Sequence, residues 1–240
     1  MIKGIYAHRG YHNKPEIPEN SIPAFQRAIE RGWGAELDVH LIKDGSLVVF
    51  HDSELERCTG IKGIIEDLTL EQVKKLSLEG TENRIPTFDE VLSMFEEVQP
   101  LIIELKAYKG NHFELTKAVC ERLDSYKGDF VIESFDPRVL IDLKKLRPEI
   151  YRGQLAQDFI KRPEGLPKYQ RVILTNLYLN FLTRPNFIAY RFSDRDIKRN
   201  KWCIKHGIQE VCWTIDNRED FETVLANVAI PIFARFDPEE

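Results

Sequence analysis

Short apolar runs alternate with amphipathic stretches along most of this chain. Strand-like runs fall at residues 4–8, 35–40, 101–106, 130–135, 150–155, 187–192, 209–215 and 230–236. Between them lie stretches of helical period. Ala24, Phe25, Ala28 and Ile29 recur at helical spacing between a start signal at Asn20-Ser21, with Pro23 in the first turn, and a stop at Gly32. Phe88, Val91, Leu92 and Phe95 form another stripe behind Thr87, and Thr69 can cap a helix over 68–76. Residues 112–126 and 137–146 read as two more helices. A further run at 47–51 follows the turn Lys43-Asp-Gly-Ser46, so it reads as the return arm of a β-hairpin after the second strand. Setting it aside leaves eight strands in a strand-then-helix rhythm. That is the α/β class and the number of a (β/α)8, or TIM, barrel, expected to fill residues 1–240 as one domain. An open doubly wound sheet is the competing arrangement, but no Gly-rich phosphate loop of the dinucleotide or P-loop kind is present.

Composition narrows the picture. At 240 residues and 42% hydrophobic, the chain can fill a substantial core. A net charge of −5 with basic residues spread through the sequence argues against nucleic acid as a partner. The first strand follows almost directly on Met1 and no run is long and apolar enough to span a bilayer, so a cytoplasmic protein is expected. Cys58, Cys120, Cys203 and Cys212 lack redox or zinc spacing and are expected to be reduced packing residues.

The candidate chemistry is concentrated in the first fifty-odd residues. His8-Arg9-Gly10, Glu36-Leu37-Asp38 and His51-Asp52 supply two imidazoles, two carboxylates and a guanidinium. Residues i and i+2 of a strand share a face, so Glu36 and Asp38 converge on one point where a hard cation could sit. The hairpin folds His51 back toward them. A phosphodiester repels nucleophiles and loses its alkoxide badly, so its hydrolysis needs positive charge on the phosphoryl oxygens, a base and an acid; this set contains all three. Further along, Glu104 and Lys106 share a strand face, either as a structural ion pair or as a third metal ligand beside a phosphate contact. His8, Asp38, Glu104, Lys106 and Trp213 all fall near the C-terminal ends of expected strands, the face on which such barrels build active sites.

The ordered motifs Ala7-His-Arg-Gly10, Pro18-Glu-Asn-Ser21, Glu36-Leu-Asp-Val39, Lys43-Asp-Gly45, Val48-Val-Phe-His-Asp52, Arg57-Cys-Thr-Gly60, Ile85-Pro-Thr-Phe88, Glu104-Leu-Lys106 and Trp213-Thr214 resemble the glycerophosphodiester phosphodiesterase family. The resemblance implies a metal-dependent hydrolase that releases glycerol 3-phosphate. It assigns His8 and His51 as the acid/base pair, Glu36, Asp38 and Glu104 as ligands of one divalent cation, and Arg9 and Lys106 as phosphate contacts. All-oxygen ligands favour Mg2+ or Ca2+, with Mn2+ as a further option. The C-terminal run Ile232-Phe-Ala-Arg-Phe-Asp-Pro238 departs from the family's usual Thr-Asp-x-Pro ending and places Arg235 near the barrel mouth.

Other readings share these residues. A lysophospholipase D would differ only in accommodating an acyl chain; a catalytically inactive phosphodiester-binding protein would have no need of two histidines; a carboxylate-pair glycosidase would have no anion for Arg9 and Lys106. Trp213 is either core filler or a pocket wall against the glycerol or head group. The long connection at 157–186, basic and then apolar-aromatic, reads as an ordinary helix over 172–182 packed on the barrel, or as a segment making transient contact with a membrane surface or an acyl chain. A small-molecule phosphodiester is the expected partner, and oligomeric state is not legible.

Overall fold

A computed structural model describes residues 2–240. The fold is a (β/α)8 barrel, and its eight parallel strands are those expected from the pattern. They are β1 (Tyr6–His8), β2 (Gly34–Leu41), β4 (Leu101–Leu105), β5 (Phe130–Ser134), β6 (Arg152–Ala156), β7 (Phe187–Arg191), β8 (Gln209–Ile215) and β9 (Ile230–Phe233), with β3 (Leu47–Val49) as the ninth, antiparallel strand. Contacts divide the chain into two compact units: Tyr6–Phe130, and Val131–Glu240 with the N-terminal residues up to Ile5.

In the first unit β1 and β4 both pair parallel to β2, placing His8 opposite Glu36 and Asp38 opposite Glu104. β3 returns antiparallel, Val39 opposite Val49, as the Lys43–Ser46 turn requires. β2 is buried on both faces except at its last residue, so its apolar positions read as a continuous run. The helix Ile22–Glu30 begins where Ser21 accepts the amide hydrogen of Ala24, and it buries Ala24, Phe25 and Ala28. The helix Phe88–Phe95 carries a full capping box of Thr87 and Glu90 and buries the four predicted apolar residues. A satellite core of Ile42, Val48, Phe50, Leu55, Ile65 and Ile85 fixes the hairpin and the loop after it.

In the second unit β5 to β9 pair in sequence order, all parallel. The helix Pro137–Leu146 starts at the Asp136 cap, as expected. The connection at 157–186 differs from the single helix over 172–182. It holds a helix Lys168–Thr175, then Leu177 in the left-handed region (φ 55°), then a short helix Asn180–Thr183. The run Leu177-Tyr-Leu-Asn-Phe-Leu182 has Asn180 as its one polar side chain besides the Tyr178 hydroxyl, so its pattern carries no period to mark the break. Among the described residues the four cysteines are buried and form no disulfide. Among the described residues no helix is long and apolar enough to cross a membrane.

Candidate active site

The site is built on β1, β2 and β4. The pairing of β2 with β4 sets Asp38 beside Glu104, and the two-residue strand repeat puts Glu36 on the same face as Asp38. Each of the three buried carboxylates offers an oxygen, and these oxygens lie within 4.8 Å of one another. One correction concerns position along the strand: Asp38 stands three residues before the end of β2, because that strand runs on to Leu41 to pair with β3.

The chain leaves β1 through a sharp turn. Arg9 (φ 56°) and Gly10 (φ 76°) are both left-handed, and a Cβ on Gly10 would come within 2.8 Å of the Ala24 backbone. The turn lets the Arg9 amide donate to Glu36 Oε2 at 3.0 Å while its carbonyl accepts from the Asn20 amide at 2.9 Å. The Arg9 guanidinium lies 3.5 Å from Asp38 Oδ2 and donates to Glu19 Oε1 at 2.8 Å. His8 Nε2 lies 3.9 Å from Glu36 Oε2, with 18% of the side chain exposed. Lys106 follows β4 and bridges Asp38 Oδ1 at 2.9 Å and Glu104 Oε1 at 2.8 Å.

The hairpin brings in His51, whose Nδ1 lies 2.6 Å from Asp52 Oδ1. An ionised carboxylate only accepts, so Nδ1 carries the proton and donates, leaving the Nε2 lone pair for other use. His40, buried on β2, bridges the Glu66 carboxylate at 2.7 Å and the His51 carbonyl at 3.3 Å. Residues outside the expected set complete the frame. Asp52 accepts from Arg57, which also donates to Glu19; Glu19 in turn receives Lys14 at 2.5 Å. Asn20 donates to Asp38 Oδ2 at 2.8 Å. Glu19, Asn20 and Arg57 stand inside the quoted motifs, so their signal was there, but nothing in a loop pattern shows where a side chain points.

Charge is finely balanced here. Burial pushes the Glu104 carboxyl up, Lys106 opposes it and Asp38 adds to it, leaving it at about 7. Burial pushes Asp38 the same way, but Lys106, His51, Arg9 and the Asn20 amide hold it well below the usual carboxylate range. Lys106 is held above its ordinary value: burial lowers it, and Asp38 and Glu104 more than reverse that. Both histidines are lowered, His8 strongly, by burial first and then by Arg9 for His8 and Lys106 for His51. Trp213, the remaining predicted site residue, lies in the second unit on β8. Its indole donates to the Ala189 carbonyl at 3.0 Å, and its ring meets Phe135 edge-on at 5.6 Å.

Residues 8–233 match the model of the glycerophosphoryl diester phosphodiesterase family. The chain belongs to that family. It is a family of phosphoric diester hydrolases, so the expected class of enzyme is borne out. A glycerophosphodiester phosphodiesterase from Caldanaerobacter subterraneus subsp. tengcongensis is 34% identical over 234 positions, covering 92% of this chain and 89% of the relative. One from Thermotoga maritima has a solved structure at 26% identity and TM-score 0.73, covering 97% of this chain and 95% of that one. A phosphodiesterase from Oleispira antarctica, solved in complex with its product sn-glycerol-3-phosphate, superposes with TM-score 0.82 at 24% identity, covering 99% and 95%. This last likeness is one of fold.

Proposed function

We propose that this family member, acting as one barrel domain over residues 1–240, hydrolyses glycerophosphodiesters to glycerol 3-phosphate and an alcohol, with His8 and His51 as acid/base pair. The observation that carries the reading is the convergence of Glu36, Asp38 and Glu104 within 4.8 Å, beside Lys106 and Arg9. The donor set fits a hard divalent cation: it is all oxygen and buried, and burial with Asp38 alongside pushes Glu104 toward neutrality. Glu36, Asp38 and Glu104 would hold it, Mg2+ or Ca2+ by preference and Mn2+ as an alternative. Bound there, such an ion supplies Lewis-acid stabilisation of phosphoryl charge.

The chain's own residues do the rest. Lys106 and Arg9 bind the phosphoryl oxygens and draw negative charge onto a site whose carboxylates would otherwise repel it. Both imidazoles have depressed basicity, so each can stand neutral near pH 7 and one can take a proton from the attacking oxygen. An anionic substrate raises the proton affinity of the other, which donates to the leaving alcohol. Asp52 holds the His51 tautomer that leaves Nε2 as the reacting nitrogen. Trp213 forms a wall against the glycerol or head group. The four buried cysteines, none of them in a disulfide among the described residues, accord with a reducing compartment, and we place the protein in the cytoplasm.

The test is release of glycerol 3-phosphate from glycerophosphocholine and glycerophosphoethanolamine, with chelator and after add-back of single cations. Chelator-sensitive release restored by Mg2+, Ca2+ or Mn2+ is expected. No release with any cation would overturn the reading.

A further inference from the structure

His51 stands just past the end of β3, which stops at Val49. The Phe50 amide still donates to the Asp38 carbonyl at 3.0 Å, and beyond it the chain leaves the ladder. A residue that moves protons needs a firm seat, since a misplacement of about 1 Å can cost about 10²-fold in rate. Asp52 sets the tautomer of the ring, but as the next residue it travels with the loop.

The fixed point is on β2. His40 lies two residues beyond Asp38, so it shares the strand face of Asp38 and Glu36, and only 1% of its side chain is exposed. Its Nε2 lies 3.3 Å from the His51 carbonyl and its Nδ1 lies 2.7 Å from Glu66 Oε1. A carbonyl oxygen only accepts, so Nε2 carries a hydrogen and donates it, while Nδ1 and the Glu66 carboxyl share a second proton. The same Glu66 oxygen accepts from the Ser53 hydroxyl at 2.8 Å, and the Ser53 carbonyl accepts the amide hydrogen of Ile65 at 2.9 Å. Glu66 sits in the short 3-10 helix Ile65–Asp67, which Ile65 anchors in the satellite core. His40 and Glu66 thus grip the loop at residue 51 and again at residue 53, and tie it to the strand that carries Asp38. An apolar pair of the same shape would fill this space without the cost of burying an imidazole and a carboxyl.

We infer that His40 and Glu66 are positioning residues for His51: through the His51 carbonyl and the Ser53 hydroxyl they hold the imidazole where proton transfer beside the carboxylate cluster requires it. This rests on the reading of His51 as one of the acid/base pair. In this role neither side chain meets substrate and neither passes on a proton.

The experiment compares His40→Asn with His40→Gln, because each keeps a different half of the imidazole. The Asn amide nitrogen stands near the place of Nδ1 and can satisfy Glu66; the Gln amide nitrogen reaches toward the place of Nε2 and can donate to the His51 carbonyl. In release of glycerol 3-phosphate from glycerophosphocholine, His40→Asn lowers kcat about ten- to a hundredfold and His40→Gln less than about tenfold. In both, KM and the calorimetric affinity for Mg2+ or Ca2+ stay within about threefold of wild type, because the loss falls on the transition state alone. The double variant His40→Phe, Glu66→Leu replaces both polar partners, so it melts near wild type while its kcat stays down by about tenfold or more. Ser53→Ala leaves the buried pair in place and lowers kcat about threefold, which keeps the test open should the other variants not fold.

Equal kcat in His40→Asn and His40→Gln overturns the inference, as does wild-type kcat in the double variant or in Ser53→Ala. Cation affinity that falls in step with kcat also overturns it, because the effect would then lie on the carboxylates and not on His51. A wild type that releases no glycerol 3-phosphate with any cation overturns the hydrolase reading instead.

Discussion

The ends of the strands in the two units are furnished in opposite ways. In Tyr6–Phe130, β1, β2 and β4 carry a buried cluster of three carboxylates, balanced by Lys106 and Arg9 and still leaving Glu104 near neutrality. In Val131–Glu240 Asp194 pairs with Arg162 and Glu210 with Arg195 at 3.4 Å, while the buried Arg152 guanidinium donates to the carbonyls of Thr183 and Pro148. What that unit leaves open instead is apolar, the cleft beside Phe135 and Phe159. The first unit gathers buried charge at its strand ends, and the second lines a cleft with apolar side chains. Chemistry and recognition are therefore expected to respond to different substitutions.

The largest effect that would break this division is on the carboxylates. Asp38→Asn or Glu36→Gln should cost at least about 10²-fold in turnover and remove cation binding measured by calorimetry; unchanged cation affinity in both would dissolve the cluster's assigned role. Asp52→Asn comes next. It loosens the tautomer of His51 and should lower kcat about ten- to a hundredfold with KM little changed, read from steady-state kinetics.

A third effect is on stability. Glu104 has a folded pKa of about 7, above its ordinary 4.5, so the folded protein holds the extra proton between those values and loses stability as pH rises through 7. His8 and His51, whose basicity is lowered, act in the opposite sense: stability rises with pH through 6.5. The difference between proteins isolates Glu104. In chelator, wild type and Glu104→Gln should melt closer together at pH 5 than at pH 8, where the variant should be the more stable by a few degrees. Parallel melting curves across that range would contradict the charge imbalance. The smallest effect is on the recognition side, where Trp213→Phe should raise KM a few-fold at nearly constant kcat.

The first unit was far more legible in the sequence than the second. Period-two spacing put Glu36 beside Asp38, and the Lys43–Ser46 turn returned His51 toward them. Register then added Glu104, opposite Asp38, which no local pattern could pair with it. Glu19, Asn20, Asp52 and Arg57 stood in motifs read from the chain, yet their roles as anchors depend on side-chain direction in loops, which spacing does not encode. The cleft was less legible still. It draws on Phe135, Phe159 and the helix Lys168–Thr175, and the break at Leu177 lies in a run with no polar face to mark it.

The central claim is that the two histidines move protons while the carboxylates hold a cation. Measuring glycerophosphocholine turnover and Ca2+ or Mg2+ affinity side by side for His8→Ala and His51→Ala tests it most directly. The account predicts that each variant loses about 10²-fold or more in turnover while cation affinity stays within about threefold of wild type. Turnover retained in both variants would contradict it.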